Sequence, residues 1–134
     1  MKTALIFGVF DKLHKGHFDL FNQIKNQGFN ISVCLALDEI VKYRKGQTPI
    51  QSFHERKQAL ESTDGINKVV AGDKQEGTFG AIKSEDPDVI AIGYDQIELS
   101  RAIEKWLKDK QINIPLIFLR AFEPQKYKSS LLRN

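Results

Sequence analysis

The chain has 134 residues, 41% of them hydrophobic, with one cysteine and a net charge of +3 at pH 7. This length suffices for one domain over residues 1–134 whose core needs no disulfide or metal to hold it together. No apolar run approaches membrane-spanning length and no apolar leader precedes the first predicted strand, so we expect a soluble, cytoplasmic protein. The small positive charge is spread along the chain, which favours a pocket for phosphates over a nucleic-acid groove.

Apolar stretches alternate with amphipathic ones along the chain. They predict strands at residues 3–9, 31–37, 68–71, 89–93 and 116–119, and helices at residues 18–26, 53–62, 79–83 and 99–110. Such alternation with short connections is typical of a parallel sheet covered by helices on both faces. Because crossovers are right-handed, we predict an α/β fold with a single Rossmann-like, doubly wound, five-stranded parallel sheet in the order 3-2-1-4-5.

The most informative segment follows the first predicted strand and contains Phe7-Gly8-Val9-Phe10-Asp11-Lys12-Leu13-His14-Lys15-Gly16-His17. Phe18, Phe21 and Ile24 then recur at helical spacing, so the two histidines lie where a strand gives way to a helix. Such a junction offers unpaired backbone N–H groups and the positive end of the helix dipole, which attract phosphate. Two imidazoles at that point suit the stabilisation of a charged phosphorus centre.

Two other interpretations of the histidine pair stay open at this point: a surface loop that happens to hold two histidines, and a metal site. A metal site needs further ligands at matching spacing, and the remaining His54 and Cys34 do not supply them. We therefore predict no metal site built by protein ligands. Cys34 lies in an apolar stretch and is interpreted as a small buried hydrophobe.

The segment from Gly8 to His17 resembles the HxGH signature of the cytidylyltransferase-like nucleotidyltransferase superfamily. That superfamily includes the glycerol-3-phosphate cytidylyltransferases and the stand-alone FAD synthases of archaea. Further stretches resemble its basic loop, its "ER" helix, its Gly-Asp-Asp-Trp-like box and its closing helix cap: Lys42-Tyr43-Arg44-Lys45-Gly46-Gln47-Thr48-Pro49-Ile50, Glu55-Arg56-Lys57, Gly93-Tyr94-Asp95-Gln96 and Lys128-Ser129-Ser130-Leu131-Leu132-Arg133. The resemblance runs nearly end to end and implies the HxGH nucleotidyltransferase fold.

The resemblance also implies the site residues. The nucleotide is expected to contact Gly8, Val9, Phe10, Asp11, His14, Gly16, His17, Gly93, Asp95, Gln96, Arg120, Ser129, Ser130 and Arg133. The expected catalytic residues are His14, His17 and Lys45, and the expected acceptor-binding residues are Asp11, Lys45 and Thr78. The expected cofactor is Mg²⁺, carried by the triphosphate. A homodimer is expected, with an NTP and a phosphorylated small molecule as ligands and no nucleic-acid or membrane partner.

The implied reaction joins a nucleoside triphosphate to a phosphorylated small molecule and releases pyrophosphate. Tyr94-Asp95-Gln96 stands where cytidylyltransferases carry Asp-Asp-Trp, and this version, with Arg44-Lys45-Gly46 and Gly72-Asp73, looks more like the archaeal FAD synthase group. The preferred interpretation is an FMN adenylyltransferase that makes FAD from ATP and FMN. The alternatives are a CTP-dependent cytidylyltransferase acting on glycerol 3-phosphate or a similar alcohol phosphate, and a nucleotide-binding module without catalysis.

Two points stay open at the level of sequence. The cation that contacts phosphate is one or more of Arg120, Lys126, Lys128 and Arg133. The aromatic side chains that pack either on a flavin ring or in the core are Phe79, Phe122 and Tyr127.

Overall fold

The computed structural model describes residues 1–122. The strands within them are β1 (Lys2–Gly8), β2 (Phe29–Leu35), β3 (Ile66–Ala71), β4 (Val89–Ile92) and β5 (Leu116–Phe118), and the helices are α1 (Lys15–Asn26), α2 (Asp38–Lys45), α3 (Phe53–Glu61), α4 (Gly80–Glu85) and α5 (Ile97–Lys110). The strands form one parallel sheet in the order β3-β2-β1-β4-β5, which confirms the predicted fold class and strand order. None of the helices formed by residues 1–122 has the length and apolar character needed to cross a membrane.

Strand β1 lies at the centre of the sheet, parallel to both β2 and β4. Its middle residues Ala4, Leu5 and Ile6 are at most 1% exposed, as expected for an inner strand covered on both faces. The strand order reverses beside β1, because the chain first builds outward to β3 and then returns to β4. In a doubly wound sheet a crevice opens at this reversal, beyond the carboxyl ends of the strands. The crevice therefore lies just past Gly8.

Each face of the sheet carries its own hydrophobic core. Helices α1 and α3 cover one face with Phe21, Ile24 and Leu60, while α4 and α5 cover the other with Ala81, Ile82, Ile103 and Leu107. Ala4 and Ile6 of β1 belong to the first core and Leu5 belongs to the second. This division follows from the two-residue period of a strand, which sends successive side chains to opposite faces. The prediction of helices on both faces is confirmed.

Helix α2 was not predicted. The sequence interpretation placed its basic residues in a loop, whereas the structure places Lys42, Arg44 and Lys45 in the last turn of a helix. Charge favours this helix, because Asp38 and Glu39 in its first turn and three cations in its last turn complement the helix dipole. Gly46, with φ +85°, ends it in the left-handed conformation. The helix is short and buries only Val41, so it leaves no periodic apolar pattern in the sequence.

Arg56 is fully buried (0% exposed) and ties three segments together. Its guanidinium donates hydrogen bonds to the carbonyl of Val9 at 2.9 Å, to the carbonyl of Gln51 at 3.2 Å and to the carboxylate of Asp38. Its Cζ also lies 5.7 Å from the centre of the Phe53 ring. These contacts satisfy a buried charge that would otherwise be costly. Arg56 therefore fixes the loop after β1 against the start of α2 and the segment before α3.

We expect Arg56→Met to lower the free energy of unfolding by about 3 kcal/mol, because the carbonyls of Val9 and Gln51 and the Oδ1 atom of Asp38 all lose the donor that the guanidinium provides. Urea denaturation of both proteins measures this difference. The control is Lys57→Met on the same helix, which removes a surface ion pair with Glu61 and is expected to cost less than about 0.5 kcal/mol. A loss for Arg56→Met no larger than that of the control would contradict the anchoring role.

Candidate active site

A cleft of about 1700 Å³ runs along the carboxyl ends of the strands. It gathers most of the predicted site residues: Gly8, Val9, Phe10, Asp11, His14, Gly16, His17, Lys45, Gly93, Asp95, Gln96 and Arg120. Thr78 is not among the residues that line it, although its neighbours Gly77 and Phe79 are. The predicted residues Ser129, Ser130 and Arg133 lie outside the described part of the chain, as do Lys126, Tyr127 and Lys128.

The turn after β1 is held in a strained conformation. Phe10 and Lys12 have positive φ values of 49° and 55°, which cost free energy in residues other than glycine. The Phe10 ring is buried against Phe21, with 5.5 Å between ring centres, and against His17 at 5.3 Å. A Cβ at Gly8 would lie 2.6 Å from that ring, so the turn requires glycine there. Because the side chain of Phe10 belongs to the core, its backbone is the part available to a nucleotide.

The histidines themselves begin helix α1. His14 is the N-cap: its Nδ1 accepts a hydrogen bond from the Gly16 N–H at 3.1 Å, and Nδ1 of His17 accepts one from the His14 N–H at 3.2 Å. This is a capping box in which two imidazoles replace the usual hydroxyl and carboxylate. The helix consequently starts at Lys15 and not at the predicted Phe18. The two rings stack, with centres 3.8 Å apart.

These caps determine where the imidazole protons lie. Because Nδ1 of each ring accepts from the backbone, a neutral ring carries its proton on Nε2. Burial lowers the pKa of His17 to about 4, with a further contribution from His14 that outweighs the opposing effect of Asp95. His17 is therefore a neutral imidazole near pH 7 and donates through Nε2.

Asp11 joins the histidine loop to the chain before α3. Its carboxylate accepts hydrogen bonds from the N–H groups of Ile50 at 2.7 Å and Gln51 at 2.9 Å. Burial alone would raise the pKa of Asp11, but these two bonds, together with the positive charges of Arg56 and Lys12, hold that pKa below its ordinary value. The side chain of Gln51, which was not predicted, adds a bond from the Lys12 N–H at 2.8 Å. Asp11 thus positions the loop, and its direct contact with substrates stays a prediction.

The end of α2 and the loop between β3 and α4 face each other across the cleft. Nε of Arg44 lies 3.1 Å from Oε1 of Glu76, and both side chains are exposed, so the ion pair adds little stability. Lys45 is exposed, lines the cleft and forms no ion pair with any residue from 1 to 122. Its positive charge is therefore available to an anionic ligand.

Asp73 shapes the loop between β3 and α4. Its carboxylate accepts hydrogen bonds from the Gly80 N–H at 2.8 Å and from the hydroxyl of Thr78. Thr78 thus supports the loop, and its predicted contact with the acceptor stays a prediction. The loop ends at Phe79, whose φ is +44° and whose ring meets Phe7 edge-on at 5.8 Å between centres.

Gln96 joins the ends of the two central strands at the floor of the cleft. Its Oε1 accepts from the Gly93 N–H at 2.8 Å, and its Nε2 donates to the Phe7 carbonyl at 2.9 Å. The amide of Gln96 is thus bound to the backbone of β1 and of the turn after β4, and its predicted contact with the nucleotide stays a prediction. Asp95 beside it is exposed and lines the cleft, so its carboxylate can accept hydrogen bonds from a ligand.

The chain is similar to known proteins both in sequence and in fold. Residues 5–134 match the model of the family described as cytidylyltransferase-like. An FAD synthase from Thermococcus sibiricus is 37% identical over 127 residues, which cover 95% of this chain and 83% of that relative. An FAD synthase from Pyrococcus abyssi is 36% identical over 116 residues, which cover 87% of this chain and 78% of that relative.

Two solved structures share the fold. A lipopolysaccharide core biosynthesis protein from Thermoplasma volcanium has a TM-score of 0.82 at 22% identity, covering 91% of this chain and 98% of that one. A pantoate-beta-alanine ligase from Francisella tularensis has a TM-score of 0.62 at 16% identity, covering 88% of this chain and 58% of that one. At these identities the likeness concerns the fold alone. The family match and the two FAD synthases go further and confirm the resemblance: the chain belongs to the cytidylyltransferase-like family of nucleotidyltransferases.

Proposed function

We propose that this protein transfers AMP from ATP to FMN, forming FAD and releasing pyrophosphate. The observation that carries the reaction type is the stacked histidine pair, in which the backbone occupies both Nδ1 atoms and leaves both Nε2 atoms as donors. The similarity to two FAD synthases over most of the chain supports the choice of substrates.

The reaction needs positioning and charge stabilisation more than it needs a base. A phosphate oxygen of the acceptor is already anionic near neutral pH, so it attacks the α-phosphorus of ATP without losing a proton to the protein. The new bond joins that oxygen to the α-phosphorus, and the bond from the α-phosphorus to the bridging oxygen breaks to release pyrophosphate. His14 and His17 donate hydrogen bonds from Nε2 to the charge that develops on the α-phosphate.

Other side chains around the cleft bind the phosphates that the histidines do not contact. Lys45 offsets the repulsion between two anionic substrates, and Arg120 lines the cleft where it can meet the triphosphate. The predicted roles of Ser129, Ser130 and Arg133 at the leaving pyrophosphate belong to the same proposal. Mg²⁺ would enter with the triphosphate, since the described residues contain no group of three or more metal-ligating side chains.

The apolar surface of the cleft beside Phe79 favours a flat aromatic molecule as the acceptor. Phe7, Cys34, Phe79, Leu99 and Ala102 all line the cleft. Behind Phe79 lies Trp106, edge-on at 6.1 Å between ring centres, so Phe79 belongs both to the core and to the cleft wall. Burial raises the pKa of Cys34 to about 12, so its thiol stays neutral and contributes apolar surface. A small alcohol phosphate would leave this apolar wall in water, whereas the flavin ring would cover it.

The wider predictions complete the proposal: a homodimer in the cytoplasm, without a nucleic-acid partner. One exposed apolar side chain outside the cleft supports self-association, namely Phe118 (58% exposed) on the edge strand β5. Association of two copies of the chain would remove this apolar surface from water.

The proposed substrates are tested by measuring pyrophosphate release over four NTPs and a panel of phosphorylated acceptors. We expect ATP with FMN to give pyrophosphate and FAD, and we expect CTP with glycerol 3-phosphate to be inert. A site that hydrogen-bonds one base leaves buried groups unpaired with another, which strongly penalises the wrong nucleotide. Turnover with only CTP and an alcohol phosphate would overturn the proposal in favour of a cytidylyltransferase. Nucleotide binding without any turnover would overturn it in favour of a binding module.

We expect His14→Ala or His17→Ala to lower kcat by about 10²–10⁴-fold, because each removes one donor that acts on the transition state. Affinity for ATP should change much less. His54→Ala is the matched control, since His54 is exposed on α3 and does not line the cleft, and it should leave kcat unchanged. Near-normal turnover in both test variants would contradict the catalytic assignment.

The lowered pKa of His17 predicts that the stability of the fold depends on pH. Its pKa in the folded protein is about 4, below the ordinary 6.5, so the unfolded chain binds this proton more readily. The contribution of His17 to the free energy of unfolding should therefore fall as the pH drops from about 6.5 to about 4. We expect the difference between wild type and His17→Asn, measured by urea denaturation, to decline over that window and to be constant above it. A difference that does not change with pH would contradict the lowered pKa.

A further inference from the structure

Gln23, half-buried on α1, pairs with both backbone groups of one distant residue. The Arg120 N–H donates to Oε1 of Gln23 at 2.8 Å, and Nε2 of Gln23 donates to the Arg120 carbonyl at 2.9 Å. A glutamine amide carries an acceptor and a donor side by side, so it matches the N–H and C=O of a single residue. Since β5 ends at Phe118, this contact holds the chain in place after the strand has stopped.

Asp19 determines which way this amide faces. The Nε2 of Gln23 also donates to Oδ2 of Asp19 at 2.9 Å, one helical turn earlier. A carboxylate only accepts hydrogen bonds, so the NH₂ end of the amide must face it. The opposite orientation would set Oε1 against both the carboxylate and the Arg120 carbonyl. The Asp19 contact therefore favours the single orientation in which Gln23 pairs correctly with Arg120.

The same helix holds the histidines. Gln23 lies six residues after His17, which corresponds to about 9 Å along the axis of α1. The chain after β5 also returns over the start of this helix. The evidence is the closeness of Phe122 to Gly16: a Cβ at Gly16 would lie 3.8 Å from Cδ2 of Phe122. Arg120 and Phe122 both line the cleft. Helix α1 thus sets a fixed distance between the histidine pair and Arg120.

We propose that Gln23 is a positioning residue: its amide holds the backbone of Arg120 so that the Arg120 guanidinium meets the β- and γ-phosphates while the histidines meet the α-phosphate. The inference rests on the proposed binding of a nucleoside triphosphate in this cleft, and it does not depend on the identity of the acceptor. Gln23 lies outside the residues that line the cleft, so it acts through Arg120 and not on the substrate.

Two substitutions at Gln23 test the proposal. Gln23→Met keeps the length of the side chain and removes all three hydrogen bonds of the amide. Gln23→Glu sets a second oxygen against the Arg120 carbonyl and Asp19. We expect the dissociation constant for ATP, measured by titration calorimetry without acceptor, to rise about tenfold in Gln23→Met and further in Gln23→Glu. The KM for ATP should rise in parallel, while the KM for the acceptor should stay within about twofold of wild type.

Removal of the Arg120 guanidinium distinguishes positioning from general stabilisation. In an Arg120→Ala background the backbone contact remains but the guanidinium is gone, so Gln23→Met should then change ATP affinity less than about twofold. Gln58→Met is the matched control: Gln58 is an exposed glutamine on α3 with no side-chain hydrogen bond to residues 1–122, and its ATP affinity should equal that of wild type. If Gln23→Met fails to fold, Asp19→Ala frees the orientation of the amide and should give a smaller rise with the same dependence on Arg120.

Unchanged ATP affinity in the Gln23 variants, or an equal loss with and without the Arg120 guanidinium, would overturn the inference. The measurements distinguish failure of this inference from failure of the proposed function. A wild-type protein that binds ATP but forms no FAD contradicts the function alone, and the calorimetric comparison still applies. A wild-type protein that forms FAD, with Gln23 variants that bind ATP normally, contradicts only the positioning role.

Discussion

The buried guanidinium of Arg56 is the interaction on which the cleft depends. It donates to Val9 after β1, to Gln51 before α3 and to Asp38 at the start of α2, and each of these segments forms part of the cleft wall or leads directly into it. A buried cation that lost these partners would strongly destabilise the fold. Separating the three segments from Arg56 would therefore cost a large amount of free energy. The Asp11 carboxylate adds a second tie between the same loops. The strained turn that presents the histidines is therefore fixed from two sides.

The histidine pair combines a structural role with a chemical one. The hydrogen bonds that begin α1 are the same bonds that occupy Nδ1 of His14 and His17, so the start of the helix determines which nitrogen faces a ligand. Burial keeps His17 neutral, and a neutral ring donates a hydrogen bond without needing to lose a proton. The arrangement suits a reaction in which the nucleophile is already anionic and the protein mainly stabilises charge.

Besides the charged side chains of Arg56 and Asp11, neutral amides hold the backbone around this site. Gln51 binds the Lys12 N–H, Gln96 joins Gly93 to Phe7, and Gln23 binds both backbone groups of Arg120. An amide satisfies backbone donors and acceptors without adding charge near a phosphate site. The positive charge that the phosphates require is thus left to exposed groups such as Lys45 and Arg120, which remain available to the substrates.

The sequence by itself predicted the strand order, from the alternation of strands and helices and the right-handed sense of their crossovers. It also determined two features that depend on neighbouring residues, namely the strands and the position of the histidines at the start of a helix. These follow from periodicity and from local backbone chemistry, which a short stretch of sequence contains. The tertiary structure alone decided that Gln96 and Asp11 bind backbone groups. It also decided which residues surround Arg56. The hydrogen bonds of Asp11 and Gln23 join residues 39 and 97 positions apart, and no local pattern marks a partner at such a distance, because only the packing of the sheet and helices brings the two together.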